Sequence, residues 1–253
     1  MDTLEDISEK KIKTLIEVNH LKISFGSQEV LKDVSFSLKN GENLVILGKS
    51  GTGKSVLIKC IVGLLRPGGG TIDVLGKEVG SLNVSELNEL RMKIGFLFQS
   101  SALYDSMTVK ENLEFPLKRI RRDMKPKQRE EKIGEVLENV GLADSLHKMP
   151  SQLSGGMRKR ISLARTIIVN PLIMLYDEPT TGLDPVTSDE ISDLINAVQK
   201  KYKTSSIIIT HDIECARATA DRVMMLKDGE IYKEGKLQDF NQSTDPLIKS
   251  FFK

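Results

Sequence analysis

The run Gly48-Lys49-Ser50-Gly51-Thr52-Gly53-Lys54-Ser55 sets glycines, a lysine and a hydroxyl in one short stretch. It matches G-x-x-x-x-G-K-[ST], a spacing that lets the backbone curl and turn successive N–H groups onto phosphate oxygens. The apolar run Leu44-Val45-Ile46-Leu47 precedes it, and Val56–Leu65, with apolar positions at helical spacing, follows it. A helix starting near Lys54 adds the positive end of its dipole to the same anion. Lys54 is then placed to reach the β- and γ-phosphates, and the Ser55 hydroxyl to ligate Mg²⁺. These residues imply a nucleoside-triphosphate site.

A second chemical group lies far downstream. Leu172–Tyr176 reads as a buried strand that delivers Asp177 and Glu178 at its C-terminal end, where open α/β sheets place their ligands. Asp177 suits Mg²⁺, a hard cation that keeps part of its water shell. Glu178 can orient or deprotonate an attacking water. His211 follows the apolar run Ile207-Ile208-Ile209 and Thr210, again at a strand end, and is expected to contact the γ-phosphate. His20 and His147 have no such setting and receive no role.

The elements that must carry these groups follow from periodicity. Leu44–Leu47, Leu172–Tyr176 and Ile207–Ile209 read as strands buried on both faces, while Val56–Leu65 and Ser188–Lys200 read as helices packed on a sheet. Strands separated by helices imply a parallel wound α/β sheet. Ile16–Phe25 and Val34–Leu38 alternate, as in a small antiparallel β layer ahead of that core. Between Leu103 and Ala164 the buried-strand runs stop and Lys, Arg, Glu and Leu recur at helical spacing, which predicts an inserted helical subdomain. The turn Lys227-Asp228-Gly229-Glu230 predicts a last hairpin. The expected division is a tail over 1–13, a first core part over 14–98, the helical subdomain over 99–165, a second core part over 166–237, and a tail over 238–253 able to contact a second copy.

Composition narrows the function classes. The chain has 253 residues, 39% hydrophobic and 28% charged, an ordinary globular balance that excludes disorder and coiled coil. Its 37 basic and 35 acidic residues leave a net charge of +2, and aromatics are only 5%. Neither a basic surface nor a base-stacking platform is indicated, so nucleic acid is not an expected partner. Cys60 and Cys215 fit no metal-ligand or redox spacing and are expected as buried free thiols in a reducing compartment. The acidic start Met1–Asp6 lacks a signal-peptide core, and no apolar run approaches a membrane span. The chain is therefore expected inside the cell, meeting a membrane only through a partner.

With these residues in order, the sequence resembles the ATP-binding cassette (ABC) ATPases over nearly its whole length. Leu153-Ser154-Gly155-Gly156-Met157 is similar to the family's signature motif, whose small residues open a helix toward a phosphate. The resemblance implies that this phosphate belongs to ATP on the opposite subunit, contacted by Ser154, Gly155 and Gly156. Gly182-Leu183-Asp184 resembles the D-loop crossing the same interface, and Gln99 resembles the Q-loop glutamine that senses Mg²⁺. Phe25 stands where the family stacks an aromatic on adenine, with Val30 beside it. Met157 and Phe25 replace the commoner Gln and Tyr; both changes leave the phosphate contacts and the π face intact. The implied fold is a P-loop NTPase (RecA-like) parallel core with the antiparallel β layer and the helical insertion. The implied ligands are ATP, held by Phe25, Val30, Gly48–Val56, Ser154–Gly156 and Asp184, and Mg²⁺, held by Ser55, Gln99 and Asp177. Glu178, His211 and Gln99 are the implied catalytic group.

Leu97–Val109, Glu111–Leu117 and the tail Asp245–Phe252 are most similar to the ATPases of MCE/Mla-type lipid transporters. That resemblance implies a homodimer, an integral-membrane permease (MlaE-like) and an MCE-domain lipid-binding protein, at the cytoplasmic face of the inner membrane. It leaves a small regulatory subunit open. Leu103, Met107, Val109, Leu113, Phe115 and Leu117 are expected both to pack the helical subdomain and to form a groove for a permease helix. The basic run Lys118–Arg122 with Lys125, Lys127 and Arg129 reads as a solvated loop or as a contact for anionic headgroups. The competing functions are an amino-acid or methionine importer ATPase, a soluble cassette acting on ribosomes or DNA, and a catalytically dead binding module.

Overall fold

The interior strands are apolar on both sides because helices or strands cover both. β3 (Asn43–Leu47), β7 (Ile173–Asp177) and β8 (Ser205–Thr210) are buried along their full length. Their side chains alternate: Leu44, Ile46, Ile173, Leu175, Ile207 and Ile209 enter one hydrophobic cluster, and Val45, Leu47, Met174, Tyr176 and Ile208 enter the other. A computed structural model describes residues 13–252, so the expected tail over 1–13 falls, except for Lys13, outside the described residues.

The chain opens with β1 (Thr14–Phe25), β2 (Gln28–Lys39) and β3, then α1 (Lys54–Ile61), β4 (Gly69–Val74), β5 (Lys77–Glu78), α2 (Val84–Arg91) and β6 (Ile94–Leu97). Three helices follow without a strand: α3 (Val109–Ile120), α4 (Pro126–Asn139) and α5 (Gly155–Ile167). The core resumes with β7, α6 (Pro185–Tyr202), β8 and α7 (Ile213–Thr219). It closes with β9 (Arg222–Lys227), β10 (Glu230–Gly235), α8 (Leu237–Asn241) and α9 (Pro246–Phe251).

The strands form one sheet in the order β5-β4-β1-β2-β10-β9-β3-β8-β7-β6. From β9 to β6 all neighbours are parallel, and β10 folds back on β9 as the predicted hairpin. β1 pairs antiparallel with β2 and β4, and β4 with β5. A single pairing, Glu230 with Asp33, joins this layer to the parallel core. Arg222 reinforces the joint. Its guanidinium donates to both carboxylate oxygens of Glu42, to Glu234 and to the Ser37 carbonyl.

The structure corrects three sequence expectations. The helix after the phosphate loop spans Lys54–Ile61 rather than Val56–Leu65; Gly63 has a positive φ of 65° and Leu64 is exposed. Leu172 is exposed and lies just before β7, because the strand begins at Ile173. The antiparallel layer is not wholly N-terminal, since it takes β4 and β5 from beyond α1, where a short two-sided alternation gives no strong strand signal. The helical segment follows β6 as expected and shares its hydrophobic cluster with the parallel core. Val109, Leu113 and Leu117 of α3, Ile133 and Val136 of α4, and Ile161 of α5 belong to the same cluster as Val45 and Tyr176. Val109, Leu113 and Leu117 are fully buried, so that half of the expected groove set packs inward.

Local chemistry sets the helix starts. Thr108 and Glu111 form a capping box on α3, and Asp184 caps α6 through the Thr187 N–H at 3.0 Å with Pro185 as the first helical residue. Ser154 caps α5, accepting from the Met157 N–H at 3.2 Å. Each such cap stabilises its helix by about 1 kcal/mol.

Candidate active site

Three strand ends converge at one edge of the parallel core. β3 leads into the phosphate loop, β7 ends at Asp177 and Glu178, and β8 ends at Thr210 before His211. Parallel pairing places Leu47 beside Thr210 and Asp177 beside Ile209, so the register itself gathers these groups. The phosphate loop, Glu178 and His211 line a cavity of about 660 Å³, while Asp177 is outside the lining and is bonded to Ser55.

The cavity gathers Phe25, Val30, Lys49, Ser50, Gly51, Gly53, Lys54, Ser55, Val56, Gln99, Glu178 and His211 from the expected set. Gly48 and Thr52 lie in the loop itself. A Cβ on Gly48 would stand 2.6 Å from the Leu226 carbonyl oxygen and 2.8 Å from Thr52 Oγ1. Gly53 has a φ of 99°, and a Cβ there would meet Leu31 at 2.7 Å. Only glycine permits this path.

Charge is concentrated and poorly hydrated behind the loop. The Lys54 ammonium donates to the carbonyls of Gly48 and Lys49 at 2.8 and 3.0 Å and lies 3.7 Å from Glu178 Oε1. Burial lowers its pKa, against the pull of Glu178 and Asp177. The Ser55 hydroxyl donates to Asp177 Oδ1 at 2.8 Å. Burial raises the Asp177 pKa, and the nearby Glu178 carboxylate adds to that, while Ser55 and Lys54 oppose it.

Glu178 is held on several sides. Its φ is 52°, a left-handed value that a non-glycine residue adopts only when its surroundings impose it. The backbone N–H donates to the Ile209 carbonyl at 2.9 Å, and the Thr181 hydroxyl donates to Oε2 at 3.1 Å. His211 Nδ1 lies 2.7 Å from the same Oε2. The expected histidine–phosphate partner thus pairs with the carboxylate next to it.

The structure does not bring every expected residue to this cavity. Ser154 and Gly155 are exposed at the start of α5, and a Cβ on Gly156 would press on Thr187 at 2.4 Å. Asp184 caps α6 next to them. Among the described residues these form a second surface, made of the signature segment and the start of α6, apart from the cavity lining. No group of three or more His, Cys, Asp or Glu side chains able to hold a metal occurs among the described residues.

Two cavity residues escaped the sequence reading. Ser250 and Phe251 of α9 line the same space as Phe25 and Lys54. The tail reaches it because Ile248 is buried, Phe252 packs on Phe240, and Asp245 both caps α9 and accepts from the Tyr232 hydroxyl at 2.6 Å. The signal available was the apolar pair Phe251-Phe252 after a capping Asp-Pro, which specifies a helix but not its docking place.

Both cysteines are free and buried, and burial pushes each thiol up to about 11. Most charges of the basic run have local partners: Lys118 and Arg129 on Glu114, Arg121 on Asp123, and Arg119 over the Phe115 ring. No described helix is long and apolar enough to cross a membrane.

Comparison with known proteins bears on this geometry. Residues 31–181 match the family described as ABC transporter. The chain is 39% identical over 94% of its length to Protein TRIGALACTOSYLDIACYLGLYCEROL 3, chloroplastic, of Arabidopsis thaliana, covering 73% of that protein. It is 40% identical over 93% of its length to "Probable ribonucleotide transport ATP-binding protein mkl" of Mycobacterium tuberculosis, covering 66% of it. It is also 38% identical over 89% of its length to Methionine import ATP-binding protein MetN 2 of Bacillus cereus, again covering 66%. Among solved structures, the dimeric post-hydrolysis ATP-binding cassette MJ0796 bound to ADP and Pi superposes with a TM-score of 0.80 at 33% identity, covering 88% of this chain and 99% of that one. The cbiO1 subunit from Clostridium perfringens superposes with a TM-score of 0.82 at 28% identity, covering 88% and 89%.

Proposed function

This chain belongs to the ABC transporter family and is an ATP-hydrolysing cassette of it; from that premise we propose that it drives a lipid through a separate membrane permease. The observation that carries the lipid reading is the relative named for trigalactosyldiacylglycerol, matched at 39% identity over 94% of the chain. The stretch Leu97–Leu117, similar to the ATPases of MCE/Mla-type lipid transporters, supports it. In this reading the permease is MlaE-like, an MCE-domain protein hands over the lipid, and the chain sits at the cytoplasmic face of the inner membrane through the permease.

ATP enters the cavity with its adenine on Phe25, beside Val30, and its phosphates in the loop from Gly48 to Val56. Lys54 turns from the loop carbonyls to the phosphates, exchanging two neutral acceptors for charged oxygens. Ser55 and Asp177, already hydrogen-bonded as a pair of hard oxygen donors, fit Mg²⁺, with Gln99 nearby. Bound there, the cation neutralises phosphate charge. Glu178 orients the attacking water and takes its proton, and His211 holds the carboxylate and contacts the γ-phosphate.

The second surface finds its use in a homodimer, where Ser154, Gly155, Gly156 and Asp184 of one copy close over ATP on the other. Two copies related by a two-fold axis give two equivalent sites. Moving an open population of 1:99 to 99:1 closed takes about 5.5 kcal/mol of differential binding. Two triphosphates bridged by charge-assisted hydrogen bonds supply an interaction of that order. Cleavage of the γ-phosphate removes the bridge and the copies part.

A second reading, import of methionine or another amino acid, is favoured by the 38% identity to the methionine import protein. The test is to purify the tagged chain with its permease in detergent and identify what accompanies it by mass spectrometry. Bound phospholipid or galactolipid, and ATPase stimulated by that lipid, are expected. Stimulation by methionine with no retained lipid overturns the lipid reading and leaves the ATPase in place.

A further inference from the structure

The face of α5 turned toward the core carries a polar stripe at helical spacing, Lys159, Ser162 and Arg165. Lys159 is 4% exposed, although its stem is long enough to put an ammonium in water from most helix positions. Its Nζ donates to the Gln99 carbonyl at 2.5 Å and lies 3.5 Å from the Glu178 carbonyl oxygen. One turn on, the Ser162 hydroxyl donates to the Ser101 carbonyl. One turn further, Arg165 stands 3.4 Å from Asn112 Oδ1, which accepts from the Tyr104 N–H at 2.9 Å. The helix that begins with Gly155 therefore holds the segment leaving Gln99 at Gln99 and Ser101 directly, and at Tyr104 through Asn112 and the Arg165 guanidinium over the Tyr104 ring.

The backbones it grips are under strain. Ser101 and Ala102 have φ values of 64° and 48°, and Glu178 has 52°, all left-handed without glycine. Such residues hold these values only where the surroundings fix them. Burial lowers the Lys159 pKa, opposed by the Asp177 and Glu178 carboxylates. A desolvated cation aimed at carbonyls of two different strand ends is more than filler; an aliphatic side chain would fill the same space with no desolvation cost.

We propose that Lys159 is a positioning residue for hydrolysis, whose buried ammonium ties the Gln99 and Glu178 backbones to the signature helix. The inference rests on the reading that Glu178 serves the attacking water. A shift of α5 relative to the core then changes where the Glu178 carboxylate points, so closure of the helical segment and readiness for cleavage are linked through one side chain. A lysine that only packed the helix would have no such effect.

The test uses the full chain with its permease and three variants. Lys159→Met keeps the length of the side chain and removes charge and donors. Lys159→Gln keeps a neutral donor, and Glu178→Gln is the control. The expected result is that Lys159→Met lowers kcat by about 10- to 100-fold, the worth of a hydrogen bond to a charged group. Affinity for a non-hydrolysable ATP analogue stays within about twofold, and Lys159→Gln recovers most of the lost rate. A Lys159→Met protein with native kcat, or one whose whole loss lies in nucleotide affinity, overturns the proposal. Should Lys159→Met fail to fold, Lys159→Gln decides alone: a partly restored rate, about two- to fivefold below native at unchanged affinity, supports positioning, whereas native kcat with only Tm lowered overturns the proposal. Native turnover in Glu178→Gln would instead overturn the Glu178 reading, so the two failures are told apart.

Discussion

His211 Nδ1 and Glu178 Oε2 lie 2.7 Å apart, with Glu178 held at a left-handed φ of 52°. A carboxylate fixed from both its backbone and its side chain is an oriented proton acceptor rather than a solvated charge. Replacing Glu178 by Gln is expected to keep ATP binding, cut turnover by about 100-fold or more, and let the closed dimer accumulate. Phosphate release and size-exclusion chromatography with ATP measure the two effects. His211→Ala should lower kcat with little change in ATP affinity, and an unaltered rate would show that the pair is incidental.

Ser154 and Gly155 are exposed and lie outside the cavity that holds Lys54. Ser154→Trp is therefore expected to abolish turnover while the single chain binds ATP as before. Full ATPase activity in that variant would remove the signature segment from a shared site. The Ser154 side chain also caps α5, so a Ser154→Ala control, costing about 1 kcal/mol of stability, separates the cap from the bulk.

Phe251 lines the cavity from the tail. An aromatic contact is worth about 0.5–1.5 kcal/mol beyond its buried area, so Phe251→Ala should weaken binding of a non-hydrolysable ATP analogue by roughly 2- to 10-fold. Calorimetric titration reads this directly. An unchanged Kd would make the tail a bystander at its own cavity.

Arg222 joins the antiparallel layer to the core through Glu42, and the pair responds to pH. Burial alone would raise the Glu42 pKa, but the Arg222 hydrogen bond and the Lys39 N–H outweigh it and hold the carboxyl below its ordinary value of 4.5. The folded state is thus favoured by this group above that value, and the contribution is lost as pH falls through the lowered folded value. Arg222→Met is expected to cost about 2 kcal/mol at neutral pH. It should also flatten the loss of stability on acidification below 4.5. A denaturation series across pH checks both, and an unchanged acid limb would remove the pair from the joint.

Much of the parallel core was legible because buried strands write themselves as short apolar runs. Leu44–Leu47 and Ile207–Ile209 lie within β3 and β8, and Ser188–Lys200 lies within α6. β4 and β5 were not legible, because they are short and carry few buried side chains, and their pairing, β4 with β1 and β5 with β4, is decided by the sheet rather than by local pattern. The phosphate loop could be read as a unit since every part of it is local. Lys159 could not, because a lysine in a helix gives no sign that its ammonium turns inward.

The sequence alone determined which chemistry the chain carries: a glycine-rich turn with Lys54 and Ser55, a carboxylate pair at a strand end, and a histidine after another. These depend on contacts between near neighbours, and near neighbours are what a linear pattern records. Tertiary structure alone decided that Glu178 meets His211, that Lys159 meets Gln99, and that the tail comes back to the cavity. Those meetings join residues from separate strands and helices, and they follow from sheet register and helix packing, which no local spacing specifies.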